Sequence, residues 1–342
     1  MGIQLDWLER HESAALSGAD CLMPYAQYWA WRFSGVAASE VSSLGCHTLL
    51  WNPARRTWSS WAVRRGWAGR FSPIKNAWDV LGAVRPELSQ RLNLRSDVQI
   101  HVGVHDSNAC LARWLRRWPK MTLVSTGTWV VVMAPGAAKH SLDPEADELG
   151  NASVLNEIVP TARFMGGREI QAICAGADAA TATVATLTQL LARGLVVYPS
   201  FSDQGGAYRS HVGFAEDREG LCDLANLSAV ERATAAACYA AEMIAHTIGR
   251  LGGVSPVMLE GPFASNPVIV EVLAALLPAG CLHIVDDDVE GTVRGCAMLA
   301  DWFDLPQPVA TVAPVSQATL SASVRDHYRV WSSKVEQIQR PG

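Results

Sequence analysis

Residues 98–107 read Val-Gln-Ile-His-Val-Gly-Val-His-Asp-Ser, and this stretch contains a clear transition from a strand to a helix. Its first seven residues alternate in character and are rich in β-branched side chains, which predicts a strand over 98–104. From Ser107 to about Trp118 the sequence favours a helix. A carboxylate where a strand passes into a helix lies at the ligand-binding edge of an open α/β sheet. Asp106 is therefore the first candidate for a functional residue.

Strands and helices alternate after this point, which predicts an α/β layered fold. Met121 to Met133 predicts a β-hairpin, and Ala229 to Leu251 predicts a long Ala-rich helix that ends at Gly252. The further predicted elements are strands at 195–199, 257–259 and 282–285, and helices at 267–277 and 291–303. Before residue 98, we predict helices at 5–16 and 24–33, and Gly35 is a stop signal for the second.

The 342 residues allow two domains, and the distribution of tryptophan suggests their boundary. Ten of the thirteen tryptophans precede Pro119, and only Trp129, Trp302 and Trp331 follow it. We expect a first domain over residues 1–104, a second over 105–330, and a frayed tail over 331–342.

Charge and cysteine content exclude several classes of protein. The net charge of −5 gives no general attraction to nucleic acid or to anionic membranes. No stretch reaches the roughly 18 apolar residues that a membrane helix needs, and the N-terminus shows no signal peptide. The eight cysteines include no CxxC pair, which is typical of buried thiols in a reducing compartment. We therefore expect a cytoplasmic protein.

Asp106 has two interpretations at this stage. It is a general base that accepts a hydroxyl proton during phosphoryl transfer, or it is an N-cap for the following helix. A His-Asp pair also occurs in metal-dependent phosphohydrolases, but the sequence has no further cluster of His and Asp ligands at suitable spacing. The acidic run Asp286-Asp287-Asp288 offers ligands for a cation, although such a run after a strand is more typical of a solvated turn.

Three segments that contain glycine are candidates for binding phosphate or nucleotide. The turn Ser125-Thr126-Gly127-Thr128 offers hydroxyl and backbone N–H groups, or it is an ordinary hairpin turn. Gly166-Gly167 permits close approach of the backbone to a ligand, or it forms only a turn. Gly261 to Asn266 precedes a helix that starts at Pro267, which exposes N–H groups or is a plain βα connection. None of the three is a Walker A motif.

Taken in order, these segments resemble the FGGY carbohydrate kinases over about residues 5–305. The matching stretches are Tyr25-Ala-Gln-Tyr-Trp-Ala-Trp-Arg-Phe-Ser-Gly35, Glu40 to Thr48 with Leu50-Trp51-Asn52-Pro53, Gly103 to Ala109, Ser125 to Trp129, Gly261 to Asn266, and Glu290 to Met298. The resemblance implies an actin-like, ribonuclease-H-like ATPase fold. It also implies that Asp106 is the catalytic base and that His105 and Asp106 contact the substrate.

The resemblance further implies ATP and Mg²⁺ as cofactors, with a magnesium ligand that remains unknown. The phosphates would meet Ser125, Thr126, Gly127, Thr128, Gly166 and Gly167, and the nucleotide pocket would be lined by Gly261 and Asn266. The His-Asp and Ser-Thr-Gly-Thr-Trp forms are similar to the rhamnulokinase and fuculokinase branch, which implies a ketose and favours a deoxy sugar. The sequence leaves open whether the chain forms a homodimer.

The sequence departs from the family pattern at its start. The family's Asp-x-Gly-Thr motif, which contacts the ATP phosphates, has no counterpart in this chain. We therefore expect a complete second domain and a partial first domain. Two functional hypotheses follow: an ATP-dependent ketose kinase, or a truncated, non-catalytic chain that binds nucleotide or a partner.

Overall fold

The computed structural model describes residues 1–138, 141–286, 291–304, 311–315 and 318–338. Within these ranges the helices are α1 (Gly2–His11), α2 (Ser13–Ser17), α3 (Tyr25–Ser34), α4 (Val41–Gly45), α5 (Ser60–Arg64), α6 (Pro86–Leu92), α7 (Asp106–Leu115), α8 (Gly166–Cys174), α9 (Val184–Arg193), α10 (Ala229–Leu251), α11 (Pro267–Leu276), α12 (Gly291–Ala300) and α13 (Ser321–Ile338). Short 3₁₀ turns cover Ala68–Arg70, Pro144–Ala146, Ala179–Thr181, Leu224–Asn226 and Pro262–Ser265. In these parts of the chain, no helix has the length and apolar character to span a membrane.

The strands in the same ranges are mostly short. They are β1 (Ser39–Glu40), β2 (Trp51–Asn52), β3 (Thr57–Trp58), β4 (Ile74–Lys75), β5 (Val80–Ala83), β6 (Gln99–His101), β7 (Thr122–Thr126), β8 (Val130–Met133), β9 (Glu148–Ala152), β10 (Ile158–Phe164), β11 (Val196–Tyr198), β12 (Phe214–Asp217), β13 (Gly220–Cys222), β14 (Val257–Glu260), β15 (Leu282–Asp286) and β16 (Thr311–Pro314). The predicted α/β class is therefore confirmed.

The chain divides into two compact units, and the first is discontinuous in sequence. Its described residues lie within Met1–Pro119, Gly150–Val159 and Val289–Pro308. The division falls after α7, whereas we expected it near residue 105, before that helix. The physical reason is close helix packing, since a Cβ atom on Gly295 of α12 would overlap the carbonyl oxygen of Ala109 on α7. Trp302 also stacks on Trp78, with ring centroids 4.8 Å apart.

Helices and two-stranded sheets build the first unit. One buried cluster consists of Leu5, Leu16, Leu44, Leu50, Ala62, Trp67 and Phe71. The predicted helix at 24–33 is confirmed as α3, and Gly35 ends it with a left-handed φ of 84°. The predicted helix at 5–16 is two helices, because Glu12 leaves the helical conformation with φ −134° and ψ 44°.

A seven-stranded sheet organises the second unit, whose described residues lie within Lys120–Leu149, Pro160–Asp288 and Val309–Gly342. The strand order is β16-β15-β14-β7-β8-β10-β9, and the connection between β9 and β10 is counted with the first unit. The pairs β15–β14 and β14–β7 are parallel, and β7–β8 is the predicted hairpin. Because β14 and β7 are parallel neighbours, with Glu260 opposite Ser125, the loops that follow them start at the same edge of the sheet.

The C-terminal residues differ from the expected frayed tail. Helix α13 continues to Ile338, and its side chains Trp331 and Val335 are fully buried in the second unit. The Trp331 indole donates a hydrogen bond to the carbonyl oxygen of Val197 on β11 at 2.9 Å. Buried positions therefore recur at helical spacing among polar residues, and this pattern places residues 331–338 in the folded unit.

Candidate active site

Asp106 is the first residue of α7. Four residues connect the end of the short strand β6 to it. His105 occupies the N-cap position, and its side chain makes no capping hydrogen bond. The Asp106 carboxylate accepts the backbone N–H of its neighbour Ser107 at 2.6 Å, and its side chain is 72% exposed. Asp106 is thus the first residue of α7 and not its N-cap residue, although one of its oxygens binds an N–H group of the first turn. Its exposed oxygens are available to a hydroxyl group.

His105 lies beside Asp106, but its side chain is less exposed than that of Asp106. Its Nδ1 atom is buried and lies 3.2 Å from Oδ1 of Asp106, without the angle of a hydrogen bond. Burial lowers the pKa of the imidazole, although the charge of Asp106 acts in the opposite direction. The neutral ring is therefore favoured near pH 7, and a neutral ring can either donate to or accept from a hydroxyl group.

Gln27 on α3 supports the segment that leads to Asp106, a role that was not predicted from the sequence. Its side chain is fully buried, and its amide donates to the carbonyl oxygens of Gly103 at 3.0 Å and Val102 at 3.4 Å. Gly103 itself has a left-handed φ of 86°. A polar residue within the aromatic-rich α3 stretch was the available signal, because a fully buried amide needs such partners.

The Ser125–Thr128 turn joins β7 to β8 in the second unit. The Thr126 hydroxyl donates to the carbonyl oxygen of Glu260 at 2.6 Å and accepts the backbone N–H of Phe263 at 3.2 Å. A Cβ atom on Gly261 would overlap the carbonyl oxygen of Thr126. The loop after β14 therefore packs directly on the turn, which brings together two of the three predicted segments.

The third segment, Gly166-Gly167, forms the start of α8 against the same turn. Gly167 donates its backbone N–H to the carbonyl oxygen of Thr128 at 3.2 Å. A Cβ atom on Gly167 would overlap the carbonyl oxygen of Gly127 and lie 3.0 Å from Cα of Thr128. Met165, the N-cap residue of α8, makes no side-chain capping hydrogen bond, and the partial positive charge at a helix start favours an anion.

Asn266 has a structural task at the end of the loop after β14. Its side-chain oxygen accepts the backbone N–H groups of Val268 at 3.0 Å and Ile269 at 3.2 Å, as the N-cap of α11. Its side-chain amide donates to the carbonyl oxygen of Ala179 at 3.3 Å. Both ends of the side chain therefore have protein partners, and a contact with nucleotide stays a prediction for this residue.

One group of three potential metal ligands occurs among the described residues. The ligand atoms of Cys238, Glu242 and His327 lie within 4.8 Å of one another. Both nitrogens of His327 already make hydrogen bonds, to Glu242 at 2.7 Å and to the Leu195 carbonyl oxygen at 2.8 Å. Mg²⁺ prefers oxygen ligands and water, so this group does not fit it. Of the predicted acidic run, residues 287 and 288 lie outside the described residues.

A family model and several solved structures are similar to this chain. A family model described as "Carbohydrate kinase FGGY, C-terminal domain" matches residues 119–308. A carbohydrate kinase from Novosphingobium aromaticivorans is similar to the chain with a TM-score of 0.83 and 32% sequence identity, over 97% of this chain and 73% of that one. No curated protein sequence gives a significant match.

Two xylulose kinase structures share the fold at lower identity. The ligand-bound enzyme from Lactobacillus acidophilus has a TM-score of 0.75 and 14% identity, over 98% of this chain and 71% of that one. The enzyme from Rhodospirillum rubrum has a TM-score of 0.76 and 16% identity, over 98% and 71% of the two chains. At these identities the likeness concerns the fold alone.

Proposed function

Because the chain belongs to the FGGY family of carbohydrate kinases, we propose that it transfers the γ-phosphoryl group of ATP to a hydroxyl group of a ketose. Its mixed α/β structure has the actin-like fold of that family. Phosphate binding is assigned to residues of the second unit, and proton acceptance to Asp106, which belongs to the first unit.

The observation that carries this proposal is the convergence of three glycine-containing segments in the second unit. The start of α8 and the loop after β14 each contact the Ser125–Thr128 turn, through Gly167 and Gly261, where larger side chains would overlap the turn. Hydroxyl groups and the backbone N–H groups of a turn or a helix start are suited to phosphate oxygens. These features fit the triphosphate of ATP, which the family uses.

Asp106 is the proposed general base of the reaction. As the sugar oxygen forms its bond to the γ-phosphorus atom, the bond from that phosphorus to ADP breaks, and the hydroxyl proton passes to the Asp106 carboxylate. The exposure of this carboxylate supports the assignment. In phosphoryl transfer most of the rate comes from positioning and charge stabilisation, so the base orients the hydroxyl as well.

His105 is the proposed second contact with the sugar. A neutral imidazole beside the base can hold another hydroxyl of the substrate through a hydrogen bond. The His-Asp form and the Ser125–Trp129 form favour the ketoses, including deoxy sugars, of the rhamnulokinase and fuculokinase branch. A ketose kinase of that branch is therefore our first choice.

The family typically uses a divalent metal with ATP, and when bound Mg²⁺ would neutralise charge on the β- and γ-phosphates. The described residues do not offer a set of carboxylates for it near the Ser125–Thr128 turn. Mg²⁺ commonly keeps several waters and binds through substrate phosphates with one or two carboxylates, so phosphate oxygens and water would supply most of its ligands.

An ADP-release assay on the purified 342-residue chain tests the proposal. The panel would contain rhamnulose, fuculose, xylulose and ribulose, with the corresponding aldoses as controls, and ADP binding would be measured in parallel by calorimetry. We expect ADP release with at least one ketose and none with its aldose. ADP binding without release for any sugar would favour the non-catalytic alternative. If neither ADP binding nor ADP release is observed, both the kinase hypothesis and the hypothesis of a non-catalytic, nucleotide-binding chain are overturned.

A further inference from the structure

Trp129 directly follows the Ser125–Thr128 turn, and two residues distant in sequence hold its indole ring. The guanidinium carbon of Arg163, on β10, lies 4.6 Å from the ring centroid. Gly205, in the loop after β11, approaches the ring so closely that a Cβ atom there would lie 2.7 Å from Cη2. The ring is therefore confined by a cation on its face and by backbone near the Cη2 position.

Asp147 ties these two neighbours of Trp129 together. Its Oδ2 atom accepts the Arg163 Nε–H at 3.0 Å and the Gly206 backbone N–H at 3.3 Å. The Asp147 side chain is only 15% exposed, so solvent screens the pair less than it would screen a surface pair. One carboxylate oxygen thus fixes both the arginine and the glycine loop that confine the indole.

We propose that Asp147, Arg163 and Gly205 are positioning residues that hold Trp129 and, through it, the Ser125–Thr128 turn in the geometry that binds phosphate. The statement that this turn binds phosphate rests on the proposed function. Trp129 stands between Thr128 and the first residue of β8, so displacement of its ring carries the backbone of the turn with it. A turn that is already ordered binds phosphate without the entropy cost of ordering it.

A purely structural role is the competing explanation, because a cation over an indole contributes to stability by about 0.5–1 kcal/mol wherever it occurs. The two glycines Gly205 and Gly280 separate the explanations. Both lie in the second unit with nearly the same left-handed φ, 70° and 71°, so alanine brings a similar backbone strain to each. Only at Gly205 does the new Cβ meet Trp129, whereas nothing lies within 4 Å at Gly280.

The experiment compares Gly205→Ala with Gly280→Ala in the full chain. ADP affinity is measured by calorimetry, and amide hydrogen exchange is followed over residues 126–129. We expect Gly205→Ala to bind ADP on the order of 10-fold more weakly, since small displacements of binding groups have effects of this size, and to exchange faster in the turn. Gly280→Ala should match the wild type in both readouts. Equal affinities for the two variants would overturn the inference.

A second pair of variants covers the case in which Gly205→Ala fails to fold. Asp147→Asn weakens the bond to Arg163, and we expect it to lower ADP affinity in the same direction. Glu145→Gln is its control, because Glu145 binds Arg209 at 3.0 Å on the surface and is 89% exposed. An Asp147→Asn variant with the affinity of Glu145→Gln would overturn the inference as well.

Failure of the proposed function would be visible separately. If the wild-type chain binds no ADP, the nucleotide assignment fails, and hydrogen exchange alone then decides whether Trp129 is held as inferred. Unchanged exchange over residues 126–129 in Gly205→Ala would reject the positioning role in that case. If ADP binds equally to all variants, the function stands and only the positioning role is lost.

Discussion

Gly167 donates its backbone N–H to the carbonyl oxygen of Thr128 at 3.2 Å, so α8 and the Ser125–Thr128 turn share a backbone hydrogen bond across almost forty residues of sequence. The contact requires glycine because a Cβ atom at this position would overlap the carbonyl oxygen of Gly127. The proposed phosphate site thus depends on the close approach of two backbone segments.

Gly167→Ala should therefore weaken nucleotide binding, because the new methyl group pushes the start of α8 away from the turn. We expect a loss of ADP affinity of on the order of 10-fold or more, measured by calorimetry. Gly249→Ala is the matched control, since Gly249 is also helical and a methyl group there would meet nothing within 4 Å. That control should keep its affinity and gain up to about 1 kcal/mol in stability. Equal ADP affinities would contradict the prediction.

Asp106→Asn removes the proposed base and keeps the shape of the side chain. For a ketose that the wild type phosphorylates, we expect kcat to fall by roughly 100-fold or more, while ADP affinity changes little. Asp97→Asn provides the control, because Asp97 is a surface carboxylate, 62% exposed and paired with Arg95. Near-normal turnover by the Asp106→Asn variant would remove the base from the mechanism.

Thr126→Val tests the link between the turn and the loop after β14. The substitution keeps the volume but leaves the Phe263 N–H without the hydroxyl that it donates to at 3.2 Å. We expect a loss of about 1–3 kcal/mol in the free energy of unfolding, measured in urea. Thr126→Ser retains the hydroxyl and should lose clearly less. A serine variant as unstable as the valine variant would show that the methyl group matters and the bridge does not.

Stability should also depend on pH through His327 and Glu242, which pair at 2.7 Å inside the second unit. Burial alone would lower the pKa of His327, but the Glu242 carboxylate and the Leu195 carbonyl oxygen raise it to about 9. A pKa raised from 6.5 means that the charged ring stabilises the fold fully below pH 6.5, and that this contribution disappears as the pH rises through about 9.

Urea unfolding of the wild type and of His327→Gln at pH 6 and pH 10 measures this effect. The stability advantage of the wild type should shrink at pH 10 by an amount on the order of 3 kcal/mol, as the shift in pKa requires. An advantage of the same size at both pH values would mean that folding does not raise the pKa of His327.

The elements that the sequence predicted well carry their signals locally. The long helix α10 begins at Ser228 with a capping box to Glu231 and ends at Gly252 in the left-handed conformation. The Ser125–Thr128 turn was equally visible, because β-branched arms flank it on both sides. Periodicity and caps act over a few residues, so one sequence is enough to recognise them.

The parts that were missed depend on contacts between distant residues. The division falls after α7 because α7 packs against α12. No sequence pattern near residue 119 indicates that a helix some 180 residues later will pack there. The nucleotide contact of Asn266 stays a prediction, and the N-cap role of its side chain was not predicted although its place before Pro267 is a signature of that role. The role of Gln27 depends on which backbone carbonyl groups lie beside it, and only the folded chain reveals that.

Helix α13 has a consequence for how the protein is made. Its side chains Trp331 and Val335 are buried in the second unit, and Trp331 is hydrogen-bonded to Val197 of β11. The ribosome adds Trp331 134 residues later than Val197. The second unit therefore cannot cover this strand while the intervening chain is being translated. Until α13 has emerged, we expect the nascent chain to expose the apolar surface that Trp331 and Val335 later cover.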